Sequence, residues 1–322
     1  MAREIRTIEV KRYMGVGMQF VTKTPIEKGW SGDKKFCAVS PDGHKYFMRI
    51  APLKKAERTR GAFEYQKRVA ELGVPMCVPI EIGETPEGDV YTVQSWIEGV
   101  SAEEAVSDLS LEEQYRYGVE SGRILKLIHS IPAPPDAPDW DPRFNAKMDY
   151  KIKKYIECPI KVDGAECFIN YIEQNRTLLR DRPQCFQHGD YHIGNMMIEN
   201  GKLVIIDFDR YDFGDPWEEF NRIVWCAQAS PRFATGMVDG YFDNNVPELF
   251  WRLLALYISS NTLSSIPWAI PFGESEVRKF VEQTKEIMCW YDNMRTVVPS
   301  WYDTNNKDLY LADCEDVKYE IP

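Results

Sequence analysis

The densest run of reactive side chains lies between residues 186 and 217. Phe186-Gln187-His188-Gly189-Asp190-Tyr191-His192-Ile193-Gly194-Asn195 leads into Met196-Met197-Ile198, an Asn200-Gly201 dipeptide, and Leu203-Val204-Ile205-Ile206-Asp207-Phe208-Asp209. Two short apolar runs around Asn-Gly predict a β-hairpin. Asp190 and Asn195 enter its first strand, and Asp207 and Asp209 leave its second, so antiparallel pairing draws those ends together. A cluster of carboxylate and amide oxygens suits Mg²⁺. An Asp five residues ahead of an Asn, with a further Asp beyond a hairpin, is also the arrangement of phosphoryl transfer. There the first Asp orients and deprotonates an acceptor hydroxyl, while the Asn and second Asp hold Mg²⁺ against nucleotide phosphates. Any one piece alone would read as a turn or a strand end.

Such a site needs a scaffold, and the first hundred residues supply a β-rich one. Strand signals fall at Met18–Val21, Lys35–Val39, Lys45–Ile50, Val78–Ile80 and Val90–Val93, the second and third flanking Ser40-Pro41-Asp42-Gly43-His44. Residues 55–72 follow a helical period that stops at Gly73-Val74-Pro75. After Glu98-Gly99 helical patterns take over at 111–130, 218–230, 246–265 and 275–294, with a proline-rich connection at 131–138. The expectation is an α+β chain with two lobes: a small antiparallel β-lobe with one helix over residues 1–98, and a larger, mainly helical lobe over 99–322.

The charge distribution excludes some functions. The net charge is −11, and all of it falls in residues 187–322, because the acids and bases of 1–186 cancel. That balance argues against nucleic acid or an anionic membrane surface as partner. It leaves room for a small cationic ligand. The eight cysteines form no C-x-x-C pair. With no apolar leader at the N-terminus, they suggest reduced thiols in a cytoplasmic protein. The longest stretch without Asp, Glu, Lys or Arg, Leu253 to Gly273, holds two prolines and reads as buried helix and loop.

His188-Gly189-Asp190-x4-Asn195, Ile206-Asp207-Phe208-Asp209 and Gly214-Asp215-Pro216-Trp217 together resemble the aminoglycoside phosphotransferase and choline kinase superfamily. Gly122-Arg123-x-Leu125-x-x-Ile128-His129-Ser130 is similar to that family's helix ahead of the proline-rich connection. The resemblance covers most of the chain and is nearest to the aminoglycoside phosphotransferases. It implies a protein-kinase-like fold, ATP or GTP as phosphoryl donor, and Mg²⁺. Residue by residue it implies Asp190 as catalytic base, Asn195 and Asp207 as metal ligands, and His188 as a brace of the catalytic loop. Gly29-Trp30-Ser31 resembles the family's short phosphate loop, with Ser31 reaching a phosphate. The family's phosphate-pairing Lys is here Arg49, a permanently charged fork in place of a point charge. Its expected helix partner is Glu64, with Glu57 the alternative. Val93–Gly99 resembles the hinge, where main-chain groups of Ser95 and Ile97 would meet the base edge. Asp215 fits the start of a helix as a structural residue.

The acceptor side is the least specified part. Asp209, Asp212, Glu218 and Glu219 are carboxylates that could hold the ammonium groups of an aminoglycoside-type antibiotic. Asp209 could equally join the metal site or only cap the strand. The same motifs suit a kinase of a housekeeping metabolite: an amino sugar, a choline-like alcohol or a glycated amine. Arg49 and the sparse glycine loop alone favour a nucleotide-binding pseudokinase.

Overall fold

A computed structural model describes residues 17–27 and 32–302. The elements run β1 (Thr22–Pro25), β2 (Lys34–Val39), β3 (Lys45–Ala51), α1 (Ala56–Glu71), β4 (Pro79–Glu84), β5 (Val90–Ser95), β6 (Val100–Ser101), α2 (Ala102–Ala105), α3 (Leu111–Ile128), α4 (Trp140–Glu157) and α5 (Glu166–Asn175). Then come β7 (Cys185–Gln187), β8 (Met196–Glu199), β9 (Lys202–Ile205), β10 (Asp212–Gly214), α6 (Ile223–Ala229), α7 (Pro231–Phe242), α8 (Glu248–Ala269) and α9 (Glu274–Trp290). The chain divides into two compact units. One comprises the described residues up to Val100 together with Met196–Arg210; the other comprises Ser101–Asn195 and the described residues from Tyr211 onward.

The first unit is built on an antiparallel five-stranded sheet in the order β1-β2-β3-β5-β4. Its core is Phe20, Ala38, Met48 and Val93, with Met18, Phe36, Tyr46, Ile50 and Tyr91 packed against it. The first strand lies at Thr22–Pro25, later than its apolar residues Met18–Val21 suggest, because Phe20 is spent in the core and the ladder with Val39 begins at Thr22. Helix α1 turns Ala62, Phe63, Gln66 and Val69 inward, and buried Gln66 accepts from Gln94 Nε2 of β5 at 2.8 Å.

The β8–β9 hairpin, expected in the helical lobe, groups instead with this unit. Its edge hydrogen-bonds the segment after α1: Ile205 N donates to Pro75 O at 2.9 Å and Cys77 N to Ile205 O at 3.2 Å. Met196 pairs with Ile205 and Glu199 with Lys202, around a turn in which Asn200 and Gly201 have φ of 50° and 74°. Two consecutive positive φ values are what the Asn-Gly dipeptide tolerates.

In the second unit α3 starts with a capping box. Ser110 Oγ accepts from Glu113 N while the Glu113 carboxylate accepts from Ser110 N. Helix α3 packs on α7 through glycines of both helices. A Cβ on Gly118 or Gly122 would fall 2.2 Å from Phe233 O or 2.1 Å from Met237 O, and one on Gly236 would meet Tyr115 O at 2.3 Å. Hydrogen thus lets two backbones approach where any side chain would hold them apart. The helical stretch expected at 218–230 is a short 3-10 turn (Glu218–Arg222) followed by α6, and 246–265 continues as α8 to Ala269. No helix among the described residues is long and apolar enough to cross a membrane.

Candidate active site

Each unit carries part of the chemistry. In the second unit, β7 is fixed on both sides. It pairs with β10 through Phe186↔Phe213, and Phe186 N donates to Ile131 O of the proline-rich connection at 2.8 Å. The chain then turns through His188 and Gly189 into the loop that holds Asp190 and Asn195. Buried Glu219 accepts from the backbone N–H of His188 at 2.9 Å and from that of Gly189. Its Oε2 also lies 3.1 Å from His129 Nε2, and His129 Nδ1 lies 3.0 Å from the Tyr241 hydroxyl. Glu219 is therefore committed to the loop's backbone, and the acceptor role expected for it is corrected: a buried carboxylate holding two amides has no capacity for a substrate ammonium.

Asn195 closes the loop by donating from Nδ2 to Asp190 O at 2.9 Å, while its N–H donates to His192 O at 2.8 Å. That leaves its Oδ1, the atom of an amide that ligates hard cations. The Asp190 carboxylate lies 3.4 Å from Arg222 Nε and 3.8 Å from His192 Nε2. Arg222 escaped the sequence reading. The Trp217-Glu218-Glu219-Phe220-Asn221-Arg222 run offers a signal only once the 3-10 turn returns position 222 toward the loop. Asp215 is buried by an ion pair with Arg182 (2.6 Å) and a hydrogen bond from Tyr257 (2.6 Å), which makes it a core anchor.

Asp212 and Glu218 sit opposite helix α4, whose bases recur every four residues. Arg143 Nη1 lies 3.4 Å from Asp212 Oδ1, and Lys147 Nζ lies 3.3 Å from Glu218 Oε1. Gln187 Nε2 also donates to Glu218 at 3.3 Å. Burial would raise the Glu218 carboxyl, but the charges of Lys147, Lys151 and Arg222 and the Lys147 hydrogen bond outweigh it and hold its pKa below the usual value.

In the first unit, Arg49 of β3 is the hub. Its Nε donates to Asp33 at 2.9 Å and its Nη1 to Asp207 at 3.2 Å, and Nη1 also pairs with Asp209. Lys55 completes the group, 2.6 Å from Asp33. The partner expected for Arg49 was Glu64. That expectation fails because Glu64 lies on the face of α1 opposite Ala62, Gln66 and Val69, exposed, with Lys67 at 3.2 Å. Asp33, in the turn before β2, supplies the carboxylate instead. Asp209, expected on the acceptor side, faces Arg49. Asp207 has φ of 65°, a left-handed conformation that an Asp outside a turn rarely adopts, and its side chain keeps 37% exposure.

Lys35 was also missed. Antiparallel register sets it directly across from Arg49. Its side chain has no hydrogen bond or ion pair among the described residues. Burial pushes its pKa down; Arg49 and Lys55 add to this, and Asp207 and Asp33 oppose it. Strand alternation with Arg49 was the available signal. At the hinge, the Ser95 N–H goes to Val78 O at 2.9 Å, so it is not available to a base. The main chain of Ile97 carries no hydrogen bond among the described residues. Ser31 lies outside the described residues. Among those described, no three His, Cys, Asp or Glu side chains are grouped to hold a metal. Taken separately, each unit offers one oxygen donor of the kind Mg²⁺ accepts, the Asn195 amide in the second and the Asp207 carboxylate in the first.

An antiparallel five-stranded sheet with a single helix, a mainly helical second unit and a His-Gly-Asp-x4-Asn loop define a kinase-like α+β fold. Solved structures support it. A thermostable mutant of aminoglycoside phosphotransferase APH(4)-Ia, in ternary complex with AMP-PNP and hygromycin B, is similar with a TM-score of 0.59 and 17% identity over 83% of this chain and 92% of that one. Amicoumacin kinase hAmiN, in complex with AMP-PNP, Ca²⁺ and Ami, gives a TM-score of 0.61 and 12% identity over 86% and 90%. The gentamicin–APH(2")-IIa complex gives 0.59 and 17% over 82% and 91%. No curated protein matches the sequence. The model of the phosphotransferase enzyme family matches residues 22–251, and the chain belongs to that family. It is a phosphotransferase.

Proposed function

We propose that this phosphotransferase is a small-molecule kinase that moves the γ-phosphoryl group of ATP or GTP onto a hydroxyl, with Mg²⁺ as its metal. The observation that carries this reading is the loop from His188 to Asn195. Glu219 pins its entry and the Asn195 side chain pins its exit, so the Asp190 carboxylate is held on a rigid turn. Asp190 accepts the proton as the acceptor oxygen attacks the γ-phosphorus and the bond to the β–γ bridging oxygen breaks. Asn195 Oδ1 and the Asp207 carboxylate would hold Mg²⁺, which supplies charge neutralisation on the phosphates when bound. Arg49, Lys35 and Ser31 serve the phosphates, and the main chain of Ile97 serves the base edge, which is why ATP and GTP remain joint candidates. Among the described residues seven of the eight cysteines are seen, all free and four of them buried, which fits a reducing cytoplasm.

The gentamicin and hygromycin B of the similar structures make aminoglycosides the first acceptors to assay, and the net charge of −11 fits a cationic molecule. A metabolite acceptor is favoured by the pairing of the four acids expected to receive ammonium groups. Asp209 meets Arg49, Asp212 meets Arg143, Glu218 meets Lys147, and Glu219 holds backbone amides. The deciding experiment follows nucleotide diphosphate release with ATP and with GTP over aminoglycosides, macrolides and metabolic alcohols, for the native chain and for Asp190→Asn. The variant is expected to lose transfer and keep nucleotide binding. Turnover retained in Asp190→Asn would sink the assignment.

A further inference from the structure

Helix α4 carries Arg143, Lys147 and Lys151 at intervals of four, so the three stack along one face. The first two bases have carboxylates opposite: Arg143 with Asp212, and Lys147 with Glu218. The third does not. The Lys151 side chain forms no hydrogen bond or ion pair among the described residues, although it is only partly exposed. The charged groups that act on it are Lys147 of its own helix and Glu218 and Arg222 of the 3-10 turn packed against it. Glu218 is already shared by Lys147 and the Gln187 amide. Arg222 connects this group to the chemistry, since its Nε lies 3.4 Å from the catalytic Asp190. Lys147, Lys151 and Arg222 thus gather around the single carboxylate of Glu218, and Lys151 is the ammonium left without an ion pair among the described residues.

We propose that Lys151 and Arg222 form an anion subsite beside Asp190, so that the acceptor carries an oxyanion, a carboxylate or phosphate group, near the hydroxyl that is phosphorylated. This rests on the kinase reading above and names its substrate class. An ammonium placed there would meet Lys147, Lys151 and Arg222. An oxyanion supplies the missing third pair of the α4 series. It also offsets the burial of the Lys151 ammonium, which pushes its pKa down to about 7, with Lys147 and Arg222 adding to the shift and Glu218 opposing it. The sign of the linkage follows. A bound anion favours the charged form and raises that pKa, so binding takes up a proton, and affinity falls as pH rises above about 7.

The test separates binding from transfer. Calorimetric titration of the full chain with sodium gluconate and with glucose 6-phosphate, each against its uncharged counterpart gluconamide or glucose, reads the subsite directly. Lys151→Met and Lys151→Arg are measured alongside. We expect at least one anion to bind ten-fold or more tightly than its neutral counterpart. Lys151→Met should remove that preference and Lys151→Arg restore most of it, and the native chain should bind more weakly at pH 8.5 than at pH 6.5. Gluconate against glucose 6-phosphate distinguishes a carboxylate from a phosphate subsite. Equal binding of charged and neutral probes, or an unchanged preference in Lys151→Met, overturns the proposal. Diphosphate release with the same compounds scores the kinase reading separately. An anion preference without transfer refutes that reading alone, and transfer to a cationic acceptor that Lys151→Met leaves untouched refutes the subsite alone.

Discussion

Arg49 Nε lies 2.9 Å from Asp33 Oδ2, and the two side chains are 7% and 5% exposed. This pair does the work expected of a helix carboxylate, with Asp33 delivered by the turn before β2. Removing the carboxylate takes from the buried guanidinium the acceptor of its Nε and from Lys55 the acceptor of its ammonium. Asp33→Ala is therefore expected to lower stability by about 3 kcal/mol, the range for breaking a buried pair, as read by urea denaturation.

Acid should reveal the same carboxylate. Burial alone would raise the Asp33 pKa, but the Lys55 hydrogen bond and the charges of Arg49 and Lys55 outweigh it and keep the folded value below the ordinary one. Its contribution is then complete above about pH 4 and is lost as pH falls through the depressed folded value. Denaturation midpoints measured from pH 6 to pH 2 should fall less steeply in Asp33→Asn than in the native chain.

Lys35 faces Arg49 across β2 and β3, and its side chain has no partner among the described residues, while Arg49 is divided among three acids. Nucleotide phosphates are expected to recruit Lys35. Lys35→Met should raise the KM for nucleotide at least five-fold with little change in acceptor KM. An unchanged nucleotide KM would remove Lys35 from the site.

Glu219 accepts from two consecutive loop amides. Glu219→Gln presents an NH₂ group to one of those N–H donors, which is expected to cost about 2 kcal/mol in stability and to lower kcat. Nucleotide binding, which we propose rests on residues of the first unit, should hardly move. Calorimetry of AMP-PNP binding beside steady-state kinetics separates the two effects.

Packing of α3 on α7 offers a test far from any chemistry. In Gly122→Ala the new methyl would meet Met237 O at 2.1 Å, and backbone cannot yield as a side chain end can. A loss of about 2 kcal/mol, the usual scale of overpacking, should appear as a lower midpoint of thermal unfolding.

Spacing along the chain was enough to define the β8–β9 hairpin, the Asp190–Asn195 loop, the body of helix α3 and the α+β character, because each depends on neighbours within about a dozen residues. The Asn-Gly turn carries its own φ preference, and the period of α1 carries its own buried face. What the chain alone could not disclose was which charge meets which. Glu64 was expected to pair with Arg49 by its place in the following helix, yet helical phase turned it outward and the turn before β2 brought Asp33 in. Asp209 and Glu219 read alike as acids, but one meets a guanidinium and the other holds two buried amides. The basic series at 143, 147 and 151 was written in the sequence from the start, but only folding supplied acids to the first two and left Lys151 without an ion pair among the described residues. Local hydrogen bonding and periodicity are properties of consecutive residues. Ion pairing and burial are decided by which distant segments the core brings together.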